Sequence, residues 1–80
     1  MKYKEILDIS NELILNDLHI REIREYLEHN EWGIAFETLC SIIETEYIKI
    51  DKKIYERISK IGKELEFEET DWNFLRKNLI

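Results

Sequence analysis

The chain contains no proline and only two glycines, Gly33 and Gly62, in 80 residues. Nothing in it breaks a helix outright, and no Ser/Gly-rich linker, repeat or low-complexity tract divides it. Eighty residues make a single domain, residues 1–80. Where its elements begin and end has to be read from capping residues and from the period of the apolar positions.

That period is helical. Tyr3, Ile6, Leu7, Ser10, Leu13 and Ile14 form one stripe, which Leu15-Asn16-Asp17 interrupts. Asn16 or Asp17 caps a second helix that places Ile20, Ile23 and Leu27 on one face and Tyr26 at its edge. Asn30 tolerates the left-handed conformation and separates this helix from a third. The third is the most apolar: Trp32, Ala35, Phe36, Leu39, Cys40, Ile42, Ile43 and Tyr47 cover roughly 160° of a helical wheel. So wide an arc belongs to a central helix, with Trp32, Leu39 and Ile43 in the core. Gly33 costs that helix about 1 kcal/mol relative to alanine, and close approach by another helix backbone would account for it.

Asp51 caps a fourth helix bearing Ile54, Tyr55, Ile58, Ile61 and Leu65, with Lys52, Glu56, Lys60 and Lys63 on its wet side. Thr70 or Asp71 caps a short last helix with Trp72, Leu75 and Leu79 on one face. Tyr47–Ile50 and Glu64–Glu68 alternate with period two, the pattern of a strand pair, but each is short and borders a strong helical pattern. The expected fold is all-α, a compact bundle of about five short helices near 3–15, 17–29, 31–47, 51–65 and 71–80.

Charge narrows the function. Twelve Lys+Arg against 18 Asp+Glu leave a net charge of −6, which argues against nucleic acid or an anionic membrane as a partner. No apolar run is long enough for a membrane span. The N-terminus turns amphipathic at once without a signal-peptide core, and one cysteine excludes an internal disulfide framework, so the expected compartment is the cytoplasm.

Catalytic constellations are missing. His19 and His29 have no Cys-x-x-Cys or His-x-x-x-His spacing near them, so no metal site is expected and both are read as surface histidines. Cys40 sits on an apolar face and reads as a small buried hydrophobe. Two isolated glycines make no phosphate loop, and no nucleophile elbow surrounds any serine. Carboxylates are too abundant for any pair to stand out as acid and base. The expectation is a protein that is not an enzyme and takes no cofactor and no small-molecule substrate.

The charges are also segregated. Residues 22–46 hold seven acids (Glu22, Glu25, Glu28, Glu31, Glu37, Glu44 and Glu46) against Arg24, a local balance of 1 − 7 = −6. Residues 49–63 reverse sign, with six bases against two acids, 6 − 2 = +4. Glu64, Glu66, Glu68, Glu69 and Asp71 form a second acidic block. The acids either serve solubility and contacts with the basic fourth helix or form a steering surface for a cationic partner. Ile34 and Phe74 lie off their helical stripes and are read either as core against a second neighbour or as exposed interface anchors.

The run Glu31-Trp32-Gly33-Ile34-Ala35-Phe36-Glu37-Thr38-Leu39 opens the third helix with the pattern Glu-Trp-Gly-x-Ala-x-Glu-x-Leu. It resembles the MafI-type immunity proteins of bacterial toxin systems, as do the chain length, the Tyr55 region and Trp72-x-x-Leu75-x-x-x-Leu79. Many relatives in that family carry glycine where this chain has Asn30, and both residues suit a left-handed helix end. The resemblance implies a protein that binds and neutralises a cognate toxin domain delivered between competing bacteria, in several systems an EndoU-type RNase or another nuclease. A nuclease groove is cationic because it holds phosphates. The expected contacts are therefore Glu22, Glu25, Glu28 and Glu31, with Glu66, Glu68, Glu69 and Phe74 as the rival surface. Within the motif, Trp32, Gly33, Ala35 and Leu39 read as packing residues. The alternative is a helical adaptor or small oligomeric module with no inhibitory role.

Overall fold

A computed structural model describes residues 1–80. Four α-helices follow one another: α1 Lys4–Glu12, α2 Asp17–Glu28, α3 Trp32–Thr45 and α4 Lys52–Glu64. Two 3-10 segments, Glu69–Asp71 and Asn73–Asn78, stand where a fifth α-helix was expected. The all-α reading holds.

Two helix starts are set by the expected caps. Asn16 Oδ1 accepts from the His19 amide at 2.9 Å, and Asp51 Oδ1 accepts from the Ile54 amide at 2.8 Å. The last segment opens differently from the sequence reading. Glu68 precedes its first turn, and the Glu68 amide donates to Asp71 Oδ2 at 2.9 Å.

All four α-helices end the same way. Ile14, Asn30, Tyr47 and Glu66 take left-handed backbones, with φ of 54–64°. The next amide then reaches back over the last turn: Leu15 to the Ser10 carbonyl, Glu31 to Tyr26, Ile48 to Ile43 and Phe67 to Gly62. This is the Schellman closure, most often built on glycine. It stops α1 and α3 earlier than their apolar stripes suggest. Ile14 and Tyr47, both expected on buried faces, are consequently turned out to solvent. Ile9 and Leu15 are buried in the first segment instead.

Helix α3 is central, as its wide apolar arc requires. Ala35, Phe36, Leu39, Cys40, Ile42 and Ile43 are all buried, against Ile6 and Ile9 of α1, Ile23 and Leu27 of α2, Ile58 and Ile61 of α4, and Trp72 and Leu75. Trp32 is a correction: it is half-buried at the core's edge, its ring 5.4 Å from that of Tyr3 and 4.7 Å beneath Lys2 Nζ. Gly33 is another. A Cβ there would meet only the Phe67 ring, at 3.4 Å, so no helix backbone demands the glycine. Gly62 is the glycine that matters. A Cβ on it would lie 2.5 Å from Trp72 Cε3 and Cζ3 and 3.1 Å from Phe36 Cζ, so the bare backbone of α4 is the floor on which Trp72 sits.

The C-terminal segment is tied to α3 and to the loop after it. Asn78 Nδ2 donates to the carbonyls of Ile43 and Ile48 at 3.1 and 3.0 Å. Ile50 forms one isolated parallel bridge with Leu79. The period-two stretch at 47–50 therefore pairs once, but with the C-terminus and not with 64–68.

One ionic tether joins α1 to α4. Arg57 donates Nε to Glu5 at 2.6 Å and both terminal nitrogens to Glu12 at 2.8 and 2.7 Å. The hydrogen bonds from Arg57 hold the Glu12 carboxyl below the ordinary carboxylate range. A carboxyl depressed in the folded state stabilises above its unfolded pKa and loses that contribution as pH falls through its folded value. Arg57→Met is therefore expected to lower the melting temperature at pH 7, with the deficit closing as the medium is acidified below about pH 4. Thermal unfolding of parent and variant across that range checks it; a deficit independent of pH would mean that the guanidinium acts by packing alone.

Candidate partner-binding surface

The acids of residues 22–46 do not neutralise α4. Its one arginine is taken by Glu5 and Glu12 of α1. Glu44 pairs with Lys77 at 2.6 Å, and Glu46 with His19 Nε2 at 2.5 Å. Glu22, Glu25, Glu28, Glu31 and Glu37 are exposed and take part in no ion pair. Of the first reading of the segregated charge, the contacts with the fourth helix are thus removed, and solubility stays beside the steering surface.

The helices distribute these carboxylates by their turns. Ile23 and Leu27 anchor α2 to the core, so Glu25 points away from it and Glu22 lies toward α3. On α3, the face opposite the core carries Ile34, Glu37, Ser41 and Thr45. Between the two helices runs a groove of about 480 Å³ lined by His19, Glu22, Ile34, Glu37, Thr38, Ser41, Ile42 and Thr45. Two of these are apolar, three carry hydroxyls and two are carboxylates. Ile34, 43% exposed, lines this groove and is not a core residue.

The other expected residues fall elsewhere. Glu28 and Glu31 flank the α2–α3 turn. Phe67 stacks on Phe36, ring centroids 5.3 Å apart, and lies against Gly33 in the first turn of α3. This brings Glu66 and Glu68 to the same end of the bundle as Glu28 and Glu31. Glu69 is exposed in the 3-10 turn beyond. The two acidic blocks, separate in sequence, thus adjoin in the fold, and Glu25 stands between Glu22 and Glu28 on α2. Phe74 is half-buried and packs on the core. Sequence reasoning read His19 as a surface histidine and counted Glu37 among the acids, but placed neither among the expected contacts. A charge count ignores how two helix faces meet, and only the α2–α3 packing joins His19 to Glu46.

No group of three or more His, Cys, Asp or Glu side chains is placed to hold a metal ion. Cys40 is buried, and that burial, with Glu37 and Asp71 adding to it, pushes its thiol up to about 12. It stays protonated near neutrality and offers no nucleophile. His29 Nδ1 is bonded to the Glu25 carbonyl at 2.8 Å, within its own helix. No helix is long and apolar enough to cross a membrane. No family model matches the chain, and neither does any curated protein or solved structure.

Proposed function

We propose that the protein is an immunity protein of the MafI type, which binds the cationic surface of a bacterial toxin domain, a nuclease, and neutralises it by occlusion. The observation that carries the reading is the set of five exposed carboxylates, Glu22, Glu25, Glu28, Glu31 and Glu37, without an internal cation. Unpaired like charges on adjoining helices repel one another and contribute nothing to folding. A cationic partner relieves that repulsion and is steered to the surface by it.

The family part of the proposal rests on the Glu31–Leu39 run. In the fold this run supplies packing: Ala35, Phe36 and Leu39 are buried, and Gly33 leaves room for Phe67. The apolar motif residues Ala35 and Leu39 thus face inward, while the motif acids Glu31 and Glu37 and the intervening Ile34 are exposed.

The test is to look for a neighbouring reading frame that encodes a large secreted protein and to co-express this chain with that protein's C-terminal domain. Growth restored by this chain, together with co-purification of the two, supports the reading. Continued toxicity with both proteins produced and folded overturns it in favour of a non-inhibitory adaptor.

A further inference from the structure

The outward face of α4 is basic. Ile54, Ile58 and Ile61 hold the helix to the core, so its turns carry Lys53, Lys60 and Lys63 to the other side. Three adjoining hollows run along this face, all lined by Lys60, and they bring Lys2, Lys53 and Lys63 onto the same surface. Two further cations there are already used: Lys4 pairs with Asp8, and Arg57 with Glu5 and Glu12. The other four, Lys2, Lys53, Lys60 and Lys63, are exposed and take part in no ion pair. The unpaired acids lining the hollows are Glu56 and Glu64, which leaves 4 − 2 = +2 on one face of a chain of net charge −6.

The complement of that face is on the same molecule. Glu22 and Glu37 line the α2–α3 groove, and its one basic side chain, His19, is bonded to Glu46. The unpaired cations of α2, Arg21 and Arg24, lie about 100° and 160° round the helix from Glu22, turned away from the groove. No residue lines both the groove and the basic hollows, so one molecule presents both surfaces at once. Each also carries an apolar side chain that is not fully buried, Tyr55 beside the lysines and Ile34 in the groove.

We infer that the basic face of α4 docks on the acidic α2–α3 groove of a second copy of this chain. The net charge of −6 opposes two copies meeting, and screening decides whether it prevails. At about 0.1 M salt the screening length is about 10 Å, shorter than the molecule's smallest extent of 18 Å. An approaching copy therefore responds to the face in front of it, where the signs are opposite. Pairs between exposed side chains are individually weak, so the association is reversible and depends on concentration. Self-association does not depend on the toxin reading; the two meet only at the groove, where a second copy and a toxin domain exclude each other.

Sedimentation equilibrium at about 0.1 M salt tests this on four samples. They are the parent, Lys53→Glu/Lys60→Glu, Glu22→Lys/Glu37→Lys and an equimolar mixture of the two variants. The parent's average mass is expected to climb with concentration from 9.8 kDa toward that of a dimer or more, and to fall back to the monomer's at about 1 M salt. Either variant alone sets like charges against each other and should stay monomeric with the parent's melting temperature. Their mixture should associate again, because the intact basic face of one meets the intact groove of the other. A parent that stays monomeric up to about millimolar concentration, a variant that associates as the parent does, or a mixture that stays monomeric overturns the self-docking and leaves the toxin reading standing.

Discussion

Gly62→Ala is expected to destabilise the domain by about 1–3 kcal/mol, at the upper end of that range for overpacking. The added methyl meets Trp72 ring atoms at 2.5 Å, and neither side of that contact can yield. Gly62 lies within α4, and Trp72 is buried with its ring edge-on to Phe36, centroids 6.3 Å apart. A gain from helix propensity of up to about 1 kcal/mol works in the opposite direction and is smaller than the clash. Gly33→Ala is the control. Its methyl makes ordinary contact with Phe67, so the propensity gain is expected to appear undiminished. Urea unfolding followed by circular dichroism distinguishes them: the midpoint falls for Gly62→Ala and holds or rises for Gly33→Ala. Trp72→Leu should reduce the penalty of Gly62→Ala, since the two positions share the contact. Equal midpoints for both glycine variants would mean that the C-terminal segment does not seat on α4.

The second large effect is at Leu39. It is fully buried on the central helix, and its truncation to alanine leaves a cavity that helices packed on several sides cannot collapse to fill. The expected loss is about 2–5 kcal/mol. A domain this small has a net stability of only a few kcal/mol, so Leu39→Ala should be unfolded in large part at room temperature. Helical content close to the parent's, with an unchanged urea midpoint, would show that α3 is peripheral.

These two positions show what the sequence reveals and what it hides. Leu39 was legible because burial recurs with the helical period, and the wide arc of α3 named it central. Gly62 was not. A glycine inside an amphipathic helix carries no signal of its own, and the reason for it, Trp72, lies in a segment whose position depends on tertiary packing. The helix ends divide in the same way. Asn16 and Asp51 announce their caps chemically, whereas Ile14 and Tyr47 close helices in a conformation their side chains disfavour. Both were therefore assigned to apolar stripes and are in fact exposed. The last segment was placed correctly by Trp72 and Leu75, but periodicity over so few residues does not separate an α-helix from a 3-10 one.

The candidate surface was half legible. Counting charges located the acids of residues 22–46, since segregation along the chain survives folding when one helix pair carries it. Counting left open whether α4 neutralises them. That depended on how the α4 cations pair, and the only one that does, Arg57, faces α1. The groove, with Ile34 and Glu37 on one wall and Glu22 on the other, exists only once α2 and α3 pack.

The claim that the acidic face of α2 and α3 meets a cationic toxin domain is tested most directly by association kinetics against salt, for the parent and for Glu22→Lys/Glu25→Lys. Both side chains are exposed and unpaired, so the fold and its melting temperature should be retained. The parent is expected to associate fast at low salt and to slow steeply as salt is added. The double variant should associate on the order of tenfold or more slowly at low salt, with a flatter salt dependence and weaker protection of growth. Association rate and salt dependence identical to the parent's would contradict the account.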